Sequence, residues 1–209
     1  MRRTPLHATL ALIVLAALLV SGIAPYDRAT WWLEVSPVLL AAPVLLASYR
    51  RFPLSDLLYW LIALHCLVLI LGGAYTYARV PAGFWVQELL DLSRNPYDKL
   101  GHLMQGLVPT LIAREILLRG GFVAPGRMLA FLSLCVAMAI SAVYELIEWA
   151  VALISGGGAV DFLGTQGVPW DTQSDMFCAL LGASCALLCL ARLQDRQIAA
   201  LQAERRPKD

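Results

Sequence analysis

Six stretches of this chain are almost continuously apolar, and short polar segments separate them. An α-helix needs about 20 mostly apolar residues to cross roughly 30 Å of hydrocarbon. The pattern predicts spans at 8–24, 33–49, 57–78, 98–118, 128–154 and 175–192. The first follows Arg2 and Arg3 and reads as an uncleaved anchor, because "GIAP" is a weak context for signal cleavage. The second carries Pro37 and Pro43, which membrane helices tolerate where neighbours satisfy the freed carbonyls. Trp31 and Trp32 before it, and Tyr75 and Tyr77 at the end of the third, read as interface anchors. Residues 79–97 are too polar to span. The apolar positions of "FWVQELLDL" recur at helical spacing, which predicts a short helix lying on the membrane surface. Asp98 is placed to cap the fourth span, and 193–209 reads as a soluble tail. The expected fold is all-α: a polytopic membrane helix bundle of about six transmembrane helices and a short interfacial helix, in one integral membrane domain over 1–209.

Composition agrees with that pattern and narrows the partners. Of 209 residues, 59% are hydrophobic and only 15% charged, so the expected partner is the lipid bilayer. A formal net charge of +1 leaves no basic field to attract nucleic acid. All five cysteines fall inside apolar runs and read as small hydrophobes, not as a disulfide framework or a thiolate zinc site. With the N-terminus inside, Arg50, Arg51, Arg119, Arg127, Arg192 and Arg196 are cytoplasmic, whereas Arg28, Arg79, Arg94 and Lys99 face outward. Positive charge collects on the cytoplasmic side of membrane proteins, so both termini are expected in the cytoplasm of a bacterial inner membrane.

This topology brings polar residues from three spans to one depth. Asp98 and His102 open the fourth span from outside. Tyr144, Glu145 and Glu148 come late in the fifth, about 25 to 30 Å up from its inner end. Asp171 and Asp175 bracket the outer start of the sixth. Asp98 with His102, Tyr144 with Glu148, and Asp171 with Asp175 are four apart, and Glu145 with Glu148 three, so each pair shares a helix face. Ionisable groups near lipid are costly unless paired or hydrated, and mark candidate functional sites.

The chemistry open to such a set is limited. Asp98, His102, Glu148 and Asp175 form an oxygen-rich set suited to a divalent metal ion, whose bound water is a nucleophile near neutral pH. Asp98, His102, Glu145, Glu148 and Asp175 are the candidate catalytic residues. Without a metal, Glu145 or Glu148 is suited to general acid work or proton carriage. Tyr97, Lys99, Gln105, Tyr144, Gln166, Trp170, Asp171 and Gln173 are candidate binding residues, for a lipid or envelope-precursor ligand. Two alternatives to a membrane-embedded enzyme stand beside these: a non-catalytic binding or transport module for a cationic or headgroup ligand, and a structural role in which Lys99 neutralises Asp98, amides and hydroxyls such as Gln105, Gln166 and Thr172 satisfy the acids, and the result is a polar plug that fixes helix register. Elsewhere, Arg114 is expected to snorkel towards headgroups, Glu115 to find a partner on another helix, and His65 to be a hydrogen-bonded packing residue. Gly182 and Ala186 give a small-residue packing face.

Three blocks, "YDKLGHLMQGLVPTLIAREILLR" (97–119), "YELIEW" (144–149) and "FLGTQGVPWDTQSDM" (162–176), resemble the YjdF-like family of bacterial inner-membrane proteins. Val168 and Pro169 stand where many relatives are expected to have an acidic residue before the tryptophan. The order of D-K-x-x-H, an acidic helix and an aspartate opening the last helix is also similar in outline to VanZ-like proteins. That similarity implies Asp98, Lys99, His102, Glu145, Glu148 and Asp175 as a shared polar set and supplies no reaction.

Overall fold

In the computed structural model, residues 4–155 and 169–205 are described. Eight α-helices account for most of them: α1 (Thr4–Ser21), α2 (Arg28–Ser48), α3 (Asp56–Tyr75), α4 (Pro81–Leu89), α5 (Tyr97–Arg119), α6 (Arg127–Ser155), α7 (Asp171–Cys185) and α8 (Ala191–Arg205). A π-helical turn, Ala186–Leu190, joins α7 to α8, so these form one long helix. Arg28–Ser48, Asp56–Tyr75, Arg127–Ile154 and Asp171–Glu204 are long and apolar enough to cross a membrane on their own. With α1 and the 23-residue α5 they make a polytopic all-α bundle of about six transmembrane helices. Its large apolar side chains point outward as lipid requires, with Leu46 78% and Leu188 83% exposed.

Several boundaries differ from the pattern. Helix α2 starts at Arg28, because the Asp27 carboxylate accepts the Thr30 N–H at 2.7 Å and caps it there. Trp31 therefore packs inside the bundle, and only Trp32 is exposed. Helix α7 starts one turn early, at Asp171. The segment read as a tail continues the helix to Arg205 with Gln194, Ile198 and Leu201 buried. Tyr77 is not an interface anchor. It adopts a left-handed conformation (φ 50°), closes α3 by donating its N–H to Gly72 at 2.8 Å, and folds its ring into the interior. The short surface helix is α4, which exposes Phe84, Trp85 and Leu89.

Helix α5 organises the rest. It packs against α3, α6 and α7, while α1 and α2 pack on α3. Two glycines set the α5–α7 distance. A Cβ on Gly106 would lie 1.8 Å from the Ala179 carbonyl oxygen, and one on Gly182 would lie 2.0 Å from that of Leu103. The small-residue face expected at Gly182 is thus a backbone-to-backbone contact, which membrane helices use in place of a hydrophobic driving force. Ala183 and Ala186 are fully buried along the same side.

Gly106→Ala is expected to push α5 and α7 apart and lower stability by about 1–3 kcal/mol, as overpacking does. Thermal unfolding in detergent measures it, and an unchanged midpoint would contradict the close contact.

Candidate functional site

The polar site forms where α5 begins. Asn95 is buried beneath α4, donating to the Val80 carbonyl at 3.0 Å and accepting the Tyr97 N–H at 3.0 Å. Asn95, not Asp98, thus satisfies the start of α5. Asp98 lies in the first turn and is turned into the bundle. One turn on, His102 Nε2 stands 3.5 Å from Asp98 Oδ1 and 3.7 Å from Asp175 Oδ1, while its Nδ1 is 3.1 Å from Gln105 Oε1 and 3.7 Å from Glu145 Oε1. One imidazole therefore touches three carboxylates from α5, α6 and α7.

Lys99 fixes the far side of this group. Its ammonium donates to Asp171 at 2.7 Å, Ser174 at 2.8 Å and Asp175 at 2.5 Å, and stands 3.7 Å from Asp98. Arg94 pairs with Asp171 from the loop before α5. Burial works against the Arg94 charge, but the Asp171 carboxylate outweighs it and holds the guanidinium pKa above its ordinary value. The i,i+4 spacing on α7 is what lets one ammonium bridge both aspartates.

The other side opens into a cavity of about 220 Å³ between α2, α3, α5 and α6. Its polar end carries Glu34, Asp98, His102, Tyr144 and Glu148, and its depth is lined by aliphatic residues such as Val38, Ile62 and Ile112. Donor atoms of Asp98, His102 and Asp175 all lie within 4.8 Å of one another, a spacing that fits a metal ion. Glu148 lines the cavity outside that trio. Two buried oxygens, Asp98 Oδ2 and Glu145 Oε1, have no hydrogen-bond partner among the described residues.

Asp98, Lys99, His102, Gln105, Tyr144, Glu145, Glu148, Asp171 and Asp175 thus share one region. Tyr97 turns away, donating its hydroxyl to the Val68 carbonyl at 3.1 Å. Trp170 and Gln173 are exposed, and Gln166 lies outside the described residues. Glu34 escaped the sequence reading. It is buried at 6% exposure in α2 and accepts the Tyr144 hydroxyl at 3.0 Å, bridging α2 to α6. The signal was present as a lone carboxylate among apolar residues, but starting the span at Leu33 left it at the membrane edge. His65 was read as a hydrogen-bonded packing residue. Its Nε2 instead has no partner among the described residues, on the cavity wall.

A second buried cluster ties the opposite end of α5. Glu115 is fully buried and accepts from the Ser55 N–H at 2.9 Å, the Ser55 hydroxyl at 2.7 Å and Arg119 at 2.5 Å. Arg114 donates to Gln194 at 3.0 Å and Asp195 at 2.7 Å. It does not reach for headgroups, because the helix beyond the π turn supplies its partners. Fully satisfied, this cluster is architectural.

Residues 6–196 match the family described as predicted membrane protein (DUF2238). The chain belongs to this family. It is also 60% identical over 190 residues to "Inner membrane protein YjdF" of Escherichia coli (strain K12), covering 91% of each chain. No solved structure matches. The three motif blocks that carried the resemblance to YjdF-like proteins all lie inside the matched range, and they hold the α5, α6 and α7 residues of the cluster.

Lys99→Met would leave Asp171 and Asp175 short of their counter-charge, at a cost of about 3–5 kcal/mol. The double variant Lys99→Met/Asp175→Asn is expected to unfold at a higher temperature than Lys99→Met alone. Additive losses in that cycle would show that the pair is not coupled.

Proposed function

We propose that this membrane protein is an enzyme embedded in the bilayer, in which Asp98, His102 and Asp175 hold a divalent cation over the headgroup of a lipid or envelope precursor. The observation that carries the reading is the convergence of those three donor groups within 4.8 Å, where Asp98 Oδ2 has no hydrogen-bond partner among the described residues, at one end of a cavity with an apolar depth. A divalent ion held there supplies Lewis acidity. Glu145 and Glu148 are the groups for proton transfer beside it, and Tyr144 and Glu34 close the opposite wall.

Orientation supports an outward-facing pocket. Arg50, Arg51, Arg119, Arg127, Arg192 and Arg196 belong to the helix ends away from the cluster, so the positive-inside rule favours cytoplasmic termini and a site at the outer leaflet. The name of the Escherichia coli relative supports the inner membrane as the location. Residues 1–209 then form one integral membrane domain.

A second reading rests on Lys99. Its ammonium already sits 2.5 Å from Asp175, so a built-in cation occupies one flank of the acid cluster. That arrangement favours a binding or transport module that recognises cationic groups without turnover.

Elemental analysis of the detergent-purified protein separates the two. The enzyme reading expects about one divalent ion per chain, a raised unfolding temperature with added Mn²⁺, Mg²⁺ or Zn²⁺, and loss of both in His102→Ala and Asp175→Asn with the helical spectrum preserved. Absence of stoichiometric metal together with no thermal response to any of the three ions would reject it.

A further inference from the structure

The cavity at the site shares part of its wall with a second one. Val38, Ala41, Ile62 and Cys66 also line a larger cavity of about 540 Å³ between α1, α2 and α3. Aliphatic residues make up nearly all of that second wall until His7, Tyr49 and Tyr59 close its far end. There His7 Nδ1 stands 2.9 Å from the Tyr49 hydroxyl and Nε2 stands 3.1 Å from Asp56 Oδ1. Along α2, the run from Glu34 to Tyr49 covers about 22 Å at the helical rise. One leaflet of hydrocarbon is only about 15 Å deep. The two cavities thus abut at one shared wall, and end to end they extend further than a leaflet is deep, with polar groups at each extreme.

The two caps differ in charge. At the Glu34 end, three carboxylates (Glu34, Asp98 and Glu148) face the cavity with the His102 imidazole, and among the described residues its lining contains neither lysine nor arginine. Lys99 pairs with Asp171 and Asp175 behind that wall and stands 3.7 Å from Asp98, and Arg94 pairs with Asp171. An anionic headgroup would face three acids and no basic side chain among the described lining residues. An ammonium group, with three donors and a positive charge, meets complementary acceptors.

We infer that the two cavities join across this shared wall to hold a membrane amphiphile bearing a positively charged amine, its ammonium against Glu34 and Glu148 and its hydrocarbon chain passing Ala41 into the space between α1, α2 and α3. This names the ligand class for the pocket proposed above and rests on that pocket being a ligand site. A hydrocarbon tail fits because the second cavity opens to lipid along its own apolar lining, which includes the exposed Leu12 and Leu46. The tail thus leaves lipid for an equally apolar lining, while the amine gains partners that lipid lacks.

Binding of hexadecylamine, butylamine and hexadecyl phosphate to the full-length, detergent-purified protein tests this by native mass spectrometry and thermal shift. Hexadecylamine is expected to bind and raise the unfolding temperature. Butylamine, which lacks the tail, is expected to bind at least about tenfold more weakly, as is hexadecyl phosphate. Glu34→Gln removes a charge-assisted contact and Ala41→Phe blocks the passage where the cavities meet, so each is expected to lower hexadecylamine affinity about tenfold or more. Glu148→Gln replaces Glu34→Gln if the latter does not fold. Equal binding of the amine and the phosphate, equal binding of butylamine, or unchanged affinity in both a headgroup variant and Ala41→Phe would each overturn the inference. Metal content is read on the same samples, and neither Glu34 nor Ala41 belongs to the Asp98, His102 and Asp175 trio. Protein that carries the ion but ignores hexadecylamine overturns the ligand class and leaves the metal site standing; protein that binds hexadecylamine without an ion does the reverse.

Discussion

A helix with ionisable side chains at both ends can sit in the middle of a membrane bundle only if other helices take those charges away from lipid. Helix α5 meets that condition twice. At its start Lys99 ties together Asp171 and Asp175 of α7, and at its end Glu115 and Arg114 are held by Ser55 and by Gln194 and Asp195. Leaving any of these groups unpaired in a low-dielectric interior costs several kcal/mol, so the pairing fixes the rotation and the depth of α5 together. Gly106 and Gly182 make the pairing reachable, since they let the two backbones touch midway between the clusters. The position of every cavity-lining residue on α5 follows from that alignment.

The two ends of α5 carry similar residue types and serve different purposes. Around Glu115 each oxygen has donors, and the surroundings are closed. Around Asp98 and Glu145 one oxygen on each lacks a hydrogen-bond partner among the described residues, and an apolar-walled cavity begins at Asp98. A network that is complete stabilises, whereas one with spare acceptors beside open space is arranged to receive something. This contrast within a single helix is a stronger argument for a site than the number of acidic residues.

Most of the fold was legible in the chain, because lipid imposes a simple code of length and polarity on each crossing segment. The surface helix α4 and the meeting of Asp98, His102, Glu145 and Asp175 followed from helical spacing and alternation of direction alone. What the pattern hid came from local backbone chemistry and from edges. Asp27 moved the start of α2 upstream and so drew Glu34 from the membrane edge into the site. The left-handed turn at Tyr77 sent an expected surface aromatic inward. Arg114 looked unpartnered because its partners lie in a segment too polar to read as part of a crossing helix.

The wide turn at Ala186–Leu190 explains that last case and carries a consequence of its own. Each residue advances an ordinary α-helix by about 100°, so two turns beyond Ala186 the buried stripe through Asp175, Ala179, Gly182 and Ala186 would fall seven residues on, one short of Gln194. The π turn absorbs one additional residue, which brings Gln194, Ile198 and Leu201 back onto the same side. It works as a phase corrector: two polar anchors, each with its own ideal angular setting, are served by one rod against one straight neighbour. An unbroken α-helix of the same sequence would rotate its lower half outward by about a quarter turn, and Arg114 would be left facing aliphatic neighbours.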